Sequence, residues 1–281
     1  MSIHPRTDID PTAVLADDVS IGPGVVIGAN TVLKAGVELG PNVVLGPNTT
    51  LGAGVKVYPG AVIGTEPQDM KYDGSLTVCV VGPNTIIREY CTINRGSVGS
   101  HATIVGSNCM LMSCSHVAHD CRVGDHVVMA SAALMGGHCQ IEDRAMIGGA
   151  SAFHQFVRVG TLAMVGGMSG LRQDAPPYMI ISGGAPATVF GVNVIGLKRV
   201  GMPLANRELI KQAHRLLYRS DLSFLVALER IEKELERTPE IEHILEFFRA
   251  SKRGVSRGHK DGGDVDDDGD ENRPRQAVHL A

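Results

Sequence analysis

Large aliphatic side chains recur at every sixth residue through most of this 281-residue chain. Of the 29 positions spaced by six from Ile3 to Leu171, 26 carry a large apolar residue, and only Asp69, Ser75 and Gly99 do not. A period of six matches neither an amphipathic helix nor a simple alternating strand. It indicates a chain that turns once in every six residues and buries one large side chain each time.

Each six-residue unit carries two further signals. The residue after the aliphatic is often Gly, and the fourth residue after it is mostly small or β-branched. Such units wind into a parallel β-helix of triangular section, with three units per coil and coils stacked ~4.8 Å apart. The sequence therefore predicts an all-β solenoid, a parallel β-helix of hexapeptide repeats, over residues 1–190. Known proteins built from such repeats wind left-handed, and this likeness alone implies a left-handed coil here.

The six-residue pattern is interrupted twice and then ends. Segments near 65–80 and 97–104 drop it, so we expect loops that leave the coil; the first is rich in polar groups typical of a binding loop, although a passive surface loop is the alternative. Residues 191–251 show helical spacing of apolar residues, which predicts a small α-helical C-terminal domain. Residues 252–281 are rich in Gly, Asp and Arg and predict a disordered tail.

The cysteines are read from the same repeat. Four occupy the small inward position of their units, where cysteine acts as a small core residue: Cys91, Cys109, Cys121 and Cys139. We place Cys79 and Cys114 off this position. No C-x-x-C spacing suggests a redox or metal role.

Charge and composition exclude several classes of protein. The net charge of −4 gives no global positive field for nucleic acid. No secretory signal or run long enough to cross a membrane is found, so we expect a cytoplasmic protein with no stable membrane insertion. The stretch 198–219 carries six basic residues and one acidic residue. It predicts a docking surface for an acidic partner, with a solvated helix face as the alternative.

His116 and His119, with Asp120 directly after the second, are the strongest candidates for chemistry. An imidazole moves protons near neutral pH, and a neighbouring carboxylate can orient it. Residues 18 apart should lie above one another, at an outward-facing corner, so Gly137 should stack on His119 and His138 on Asp120. A backbone N–H of this glycine segment could bind the oxyanion formed when an acyl carbonyl is attacked. Surface histidines at turns, and a zinc site like that of trimeric hexapeptide carbonic anhydrases, stay open as alternatives.

Several motifs together resemble one family of acyltransferases. They are Thr92-Ile93-Asn94-Arg95-Gly96, His116-Val117-Ala118-His119-Asp120-Cys121, Gly148-Gly149, Phe153-His154-Gln155-Phe156, Asp174-Ala175-Pro176-Pro177-Tyr178, Phe190-Gly191-Val192-Asn193 and Gly196-Leu197-Lys198-Arg199. Over residues 3–254 the chain resembles the acyl-carrier-protein-dependent UDP-N-acetylglucosamine O-acyltransferases of lipid A biosynthesis. The resemblance implies a homotrimer with active sites between subunits and no cofactor. It also implies transfer of a (3R)-3-hydroxyacyl group from acyl carrier protein to the 3-hydroxyl of UDP-N-acetylglucosamine.

The resemblance further implies roles for individual residues. His119 would be the general base that deprotonates the sugar hydroxyl, Asp120 would orient it, and Gly137 would donate to the oxyanion. The sugar and acyl pocket would be lined by Asp69, Lys71, His116, His138 and His154. The nucleotide diphosphate would be contacted by Gln155, Asn193 and Arg199. Gly167 matches the position that limits acyl-chain depth, where glycine leaves room for a longer chain.

Two positions depart from some family members and leave alternatives open. Asn94 stands where some have His, and Val200 where some have a second Arg, so phosphate contacts could differ and a modified UDP-sugar is an alternative acceptor. Related N-acyltransferases carry an extra N-terminal nucleotide-binding domain, whereas this repeat begins at Ile3. Acetyl-CoA-dependent acetyltransferases fit the C-terminal helices less well. Outside acyl transfer, the alternatives are a zinc anhydrase and a purely structural solenoid.

Overall fold

The chain is seen in a computed structural model that describes residues 1–259. Most of it consists of short strands. In chain order they are β1 Ser2–Ile3, β2 Asp8–Ile9, β3 Val14–Leu15, β4 Ser20–Ile21, β5 Val26–Ile27, β6 Val32–Leu33, β7 Glu38–Leu39, β8 Val44–Leu45, β9 Thr49–Leu51, β10 Lys56–Val57, β11 Val62–Thr65, β12 Val78–Val81, β13 Ile86–Ile87, β14 Thr92–Asn94, β15 Ala102–Val105, β16 Met110–Leu111, β17 His116–Val117, β18 Arg122–Val123, β19 Val128–Met129, β20 Leu134–Met135, β21 Gln140–Ile141, β22 Met146–Ile147, β23 Ala152–Phe153, β24 Arg158–Val159, β25 Met164–Val165, β26 Gly170–Leu171, β27 Met179–Ser182 and β28 Thr188–Val192.

Successive strands rotate among three sheets. The first sheet runs β1-β4-β7 and onward, the second begins β2-β5-β8, and the third contains β3-β6-β9. In regular coils the parallel partners lie 18 residues apart, as Met110 lies beside Val128. Only the last pair, β27 with β28, is antiparallel among the named strand pairs of residues 1–259. The predicted parallel β-helix of six-residue units, three to a coil, is confirmed.

The core is the column of large side chains that the six-residue period predicts. From Ile21 to Leu171 every apolar residue on those positions is buried, whereas Ile3 is 37% exposed because it belongs to the first coil. Cys79 is fully buried and pairs in register with Thr49 and Thr103. Its placement off the small inward position was therefore wrong.

The lengths of the two insertions explain why the six-residue period continues after them. Across the loop 66–77 the pairing offset rises from 18 to 30, as Val62 pairs with Thr92. Across the loop 95–101 it is 24, as Thr92 pairs with His116. The loops thus add twelve and six residues, which are whole numbers of units, and Cys79 stays in phase.

One residue at most corners adopts a left-handed backbone. Asn42 has φ 57°, Asn48 has φ 58°, Asp120 has φ 59° and His138 has φ 61°. Gly and Asn are common at this position because they tolerate left-handed φ better than other residues. Asp120 and His138 therefore occupy the same turn position of consecutive coils.

Four helices follow the coil: α1 Val194–Arg199, α2 Leu204–Tyr218, α3 Phe224–Glu234 and α4 Pro239–Arg249. Ser223 and Thr238 cap α3 and α4 by accepting hydrogen bonds from backbone N–H groups of the first turn. The predicted C-terminal helices are confirmed. Within residues 1–259 no helix has the length and apolar character needed to cross a membrane.

A polar cluster fastens the helices to the coil. Glu142 Oε2 lies 2.8 Å from His243 Nε2 and accepts hydrogen bonds from the N–H and hydroxyl of Thr161. The Arg158 guanidinium lies 4.2 Å from the centre of the Phe247 ring. Both contacts join the α4 helix to one face of the last coils.

Residues 252–259 do not behave as the predicted disordered tail. Val255 bridges Asp174, and Gly258 bridges Val189, so backbone pairing anchors a segment that has little apolar content. Val255 is the one apolar side chain of this segment and is 6% exposed. For these eight residues the prediction was wrong, and the rest of the predicted tail, 260–281, lies outside the described residues.

Candidate active site

His119 and Asp120 form a close pair at the corner between the second and third sheets. Nδ1 of His119 lies 2.8 Å from Oδ2 of Asp120. A proton on Nδ1 leaves Nε2 free to accept a proton from a hydroxyl. The ring lies outside the core, as predicted, but its side chain is only 11% exposed because Gly137, His138 and Asp120 surround it.

The Asp120 carboxylate is fully buried and is held by the loop 95–101. Its Oδ1 accepts hydrogen bonds from the N–H and the hydroxyl of Ser100, at 2.8 and 2.7 Å. Its Oδ2 accepts from the N–H of Ser97 at 3.2 Å. The backbone N–H of Asp120 donates to the hydroxyl of Thr103.

These donors set the charge of the site. Burial alone would raise the pKa of Asp120, but hydrogen bonds from His119, Ser100 and Ser97 outweigh it and lower the pKa. Burial lowers the pKa of His138, an effect that nearby Asp120 partly opposes. Burial, with a smaller contribution from His119, also lowers the pKa of His116. The arrangement thus favours an ionised carboxylate beside neutral His116 and His138 rings.

Gly137 lies directly beside the reactive edge of His119. A Cβ atom placed on Gly137 would be 2.6 Å from Nε2 and Cε1 of the ring, so a side chain would displace the imidazole. Within residues 1–259 the backbone N–H of Gly136 and of His138 are used in coil pairing, but that of Gly137 makes no such bond. This N–H is therefore available to an oxyanion next to the base.

His138 lies close to His119, Asp120, the loop 95–101 and the next coil. Its Nε2 lies 3.8 Å from Oδ2 of Asp120, and its ring meets that of His119 edge-on, with centroids 5.2 Å apart. Phe156 stacks on its face at 4.4 Å. Gly99 approaches so closely that a Cβ there would be 2.4 Å from Cε1 of His138.

The first insertion brings Asp69 to this corner. Oδ2 of Asp69 accepts a 2.7 Å hydrogen bond from the Ser97 hydroxyl, and this bond, with the N–H of Lys71, lowers its pKa. Lys71 itself is exposed on the same loop. His116 lies on β17, where its Nδ1 is 2.7 Å from the Thr92 hydroxyl.

His154 and Gln155 lie on the same edge of the coil as His119, but farther along it. The backbone of Gly136 and Gln155 is in close contact, and Phe156 N–H donates to Gly137 O. His154 Nδ1 lies 3.2 Å from Gln155 O, and both residues are exposed.

Asn193 and Arg199 line a cavity of about 770 Å³ on the outer face of the first sheet, and His119 is not among its described lining residues. His126, Arg144 and apolar side chains line the same cavity. The Asn193 side chain caps α1 by accepting from Gly196 N–H, and it donates to Leu162 O. Val200 also lines this cavity.

Gly167 lies at a third place, the corner between the first and second sheets. A Cβ there would meet Gly149 O at 3.4 Å, an ordinary contact. A side chain at this position would therefore project from the coil without disturbing it. Asn94, the position that departs from some family members, donates to Glu66 O and helps to fasten the first insertion.

A metal centre is the main chemical alternative at the His119 corner. Ligand atoms of His119, Asp120 and His138 lie within 4.8 Å of one another. However, both oxygens of Asp120 already accept hydrogen bonds from the loop 95–101, and the His119 pair has hydrogen-bond length. The geometry favours a proton-transfer pair.

The residues that hold the His119–Asp120 pair were not predicted from the sequence. Ser97, Ser100 and Gly99 belong to the shorter insertion, to which no chemistry was assigned. The signal was present, because Gly99 and Asp69 are two of the three positions where the six-residue pattern fails. Phe156 was noted only as part of a motif, although it follows His138 by the 18 residues of one coil.

Comparisons with known proteins agree with this architecture. Residues 174–256 match the family profile described as "Udp N-acetylglucosamine O-acyltransferase; Domain 2", and residues 30–65 match that of the bacterial transferase hexapeptide in six repeats. The acyl-[acyl-carrier-protein]–UDP-N-acetylglucosamine O-acyltransferase of Chlorobium phaeobacteroides is 56% identical, over 90% of this chain and 96% of its own. The enzyme of that name from Thermodesulfovibrio yellowstonii is 42% identical, over 91% and 99%.

Solved structures extend the likeness to three dimensions. The crystal structure of a UDP-N-acetylglucosamine acyltransferase from Bacteroides fragilis has 39% identity and a TM-score of 0.88, covering 91% of this chain and all of its own. The enzyme from Moraxella catarrhalis gives the same identity and TM-score, with 92% and 100% covered. The chain is therefore an acyltransferase, and it belongs to the acyl-[acyl-carrier-protein]–UDP-N-acetylglucosamine O-acyltransferase family.

Proposed function

We propose that this protein transfers a (3R)-3-hydroxyacyl group from acyl carrier protein to the 3-hydroxyl of UDP-N-acetylglucosamine, the first step of lipid A biosynthesis, with His119 as general base. The observation that carries the proposal is the 2.8 Å His119–Asp120 pair, whose Nε2 edge adjoins the backbone of Gly137. The relatives' names supply the donor and acceptor. The geometry supports the proposed roles of His119, Asp120 and Gly137.

In this mechanism Nε2 of His119 takes the proton of the sugar hydroxyl as its oxygen attacks the thioester carbonyl. Asp120 keeps the ring oriented and stabilises its protonated form. The Gly137 N–H donates to the oxyanion, and collapse of the intermediate breaks the C–S bond and releases the carrier thiolate. The proton that His119 took from the sugar hydroxyl is then passed to this thiolate, which leaves as the thiol.

The substrate-binding roles form the second part of the proposal. Asp69, Lys71, His116 and His138 would hold the sugar and the acyl group, with His154 farther along the edge. Gln155, Asn193 and Arg199 would contact the nucleotide diphosphate. Gly167 would leave depth for a long acyl chain.

We also propose a homotrimer, acting in the cytoplasm. Within one chain the cavity of Asn193 and Arg199 lies on a different face from His119, so a single chain does not bring the two sets together. A neighbouring subunit that presents its first-sheet face to the His119 corner would complete the site. The basic residues of 198–219, of which Lys198, Arg199, Arg215 and Arg219 are exposed, would then attract the acidic carrier protein.

The test is acyl transfer by the purified protein from a series of 3-hydroxyacyl carrier proteins to UDP-N-acetylglucosamine. We expect product with the wild type and a loss of kcat of about 10²–10⁴-fold for His119→Ala, the range that a general base contributes. His4→Ala, which changes a histidine of the first coil, serves as the control. Full turnover by folded His119→Ala would reject the base, and no transfer to this acceptor by the wild type would reject the substrate.

A further inference from the structure

We propose that Ser100, on the loop 95–101, is a positioning residue that keeps the Asp120 carboxylate on His119 rather than on His138. The inference rests on the proposed function and adds a role for the shorter insertion. Ser100 touches neither substrate nor His119 in this scheme. It acts only through Asp120.

The two carboxylate oxygens of Asp120 accept hydrogen bonds from different donors. Oδ1 of Asp120 accepts both the N–H and the hydroxyl of Ser100, at 2.8 and 2.7 Å. Oδ2 faces Nδ1 of His119 at 2.8 Å and accepts the Ser97 N–H at 3.2 Å. Each oxygen therefore has its own donors, which fixes the plane of the carboxylate.

His138 is a second possible partner for the Asp120 carboxylate. Its Oδ2 lies 3.8 Å from Nε2 of His138, only 1 Å farther than from His119. A carboxylate free to turn about its Cβ–Cγ bond would divide its time between the two rings. His119 would then lose the hydrogen bond that orients it, and Nε2 would lose its fixed direction.

The hydroxyl of Ser100 opposes this rotation by donating a hydrogen bond to the Asp120 carboxylate. The hydroxyl also lies 2.9 Å from Ala102 O, but it has a single proton, and the shorter contact to a charged acceptor is the stronger one. The loop itself is held by the Ser97 hydroxyl on Asp69 and by the contact of Gly99 with His138. The Ser100 hydroxyl therefore belongs to a loop that other contacts hold in place.

A double-mutant cycle tests the proposal, with kcat and KM measured for wild type, Ser100→Ala, Asp120→Ala and the double variant. We expect Ser100→Ala to lower kcat about tenfold, as for the loss of a hydrogen bond to a charged group, with KM for both substrates within about twofold. In the Asp120→Ala background the same change should have no effect, because its target is gone. Ser100→Thr, which keeps the hydroxyl, should restore kcat.

Ser107→Ala is the control, because it removes a serine hydroxyl at another corner and keeps the backbone N–H with which Ser107 donates to Asp125. Equal losses from Ser100→Ala in both backgrounds would show that Ser100 does not act through Asp120. Unchanged kcat, or a loss that follows the thermal midpoint and is also seen for Ser100→Thr, would likewise overturn the proposal. His119→Ala is assayed beside them: if it keeps full turnover, the proposed base fails, whereas an inactive His119→Ala with a fully active Ser100→Ala rejects only the positioning role.

Discussion

Two neighbouring corners of the coil carry the same pair of residue types in opposite order. At residues 118–121 His119 precedes Asp120, and at 124–127 Asp125 precedes His126. The left-handed turn position is thus taken by Asp120 at the first corner and by His126 at the second. Asp120 is buried, whereas Asp125 is exposed.

Asp125 and Asp120 consequently accept hydrogen bonds from different parts of the molecule. Asp125 accepts the Ser107 N–H at 2.6 Å from one neighbouring coil, and its own N–H donates to Asp143 of the other, so it ties coils together. Asp120 instead accepts donors from an insertion and from the ring beside it. A corner carboxylate becomes part of a candidate active site where a loop supplies donors and an imidazole lies within reach.

The strongest test of this contrast is Asp120→Asn against Asp125→Asn. An amide at residue 120 presents an N–H₂ group or a weaker acceptor to His119, so we expect kcat to fall by at least about 10²-fold. At residue 125 the amide oxygen can still accept the Ser107 N–H, and kcat should stay within about twofold. The measurement is steady-state acyl transfer. Similar losses in both variants would abolish the distinction between the corners.

The residue stacked on each corner gives a second, smaller test. The second corner tolerates a side chain, Asp143, above Asp125, but a Cβ on Gly137 would press on the His119 ring at 2.6 Å. We expect Gly137→Ala to reduce kcat about 10–100-fold by moving the base, a cost typical of a misplacement near 1 Å. Gly184→Ala, where no atom lies within 4 Å of the added Cβ, is the control. Equal kcat for Gly137→Ala and wild type would show that the ring is not confined by this glycine.

The smallest effect on turnover is expected at Glu142, on the second corner, one coil beyond residues 124–127. Hydrogen bonds from His243 and Thr161 outweigh the effect of burial and lower its pKa below 4.5. A carboxylate whose pKa is lower in the folded than in the unfolded state stabilises the fold at pH values above its unfolded pKa. This contribution is lost as the pH falls through its folded pKa. Glu142→Gln should therefore lower the free energy of unfolding at pH 7 by about 1–3 kcal/mol.

The check on Glu142→Gln is the thermal midpoint of wild type and variant at pH 7 and below pH 4.5. The gap between the two midpoints should narrow progressively as the pH falls below 4.5 toward the lowered pKa of Glu142, because the folded wild type then loses its ionised carboxylate. Turnover at a temperature where both are folded should match. A fall in kcat at that temperature would give this corner a role in chemistry and weaken the comparison.

Periodicity alone predicted most of the coil, because every apolar residue on the six-residue positions from Ile21 to Leu171 is buried. The same 18-residue offset placed Gly137 on His119 and His138 on Asp120. It could not place Ser100, since a loop between coils follows its own path. Nor could it show that Asn193 serves as the cap of α1, which depends on where a helix begins.

The spacing of partners along the chain also bears on how the protein folds. From β1 to β26, strand pairing joins residues 18 to 30 positions apart, so these sheets form without contacts between distant parts of the chain. Folding can begin in any coil and spread to its neighbours, as in other linear arrays. The His119 corner draws on consecutive coils between Asp69 and Phe156, so the His119–Asp120 pair and its loop donors should form once that middle portion has folded, before the subunits assemble.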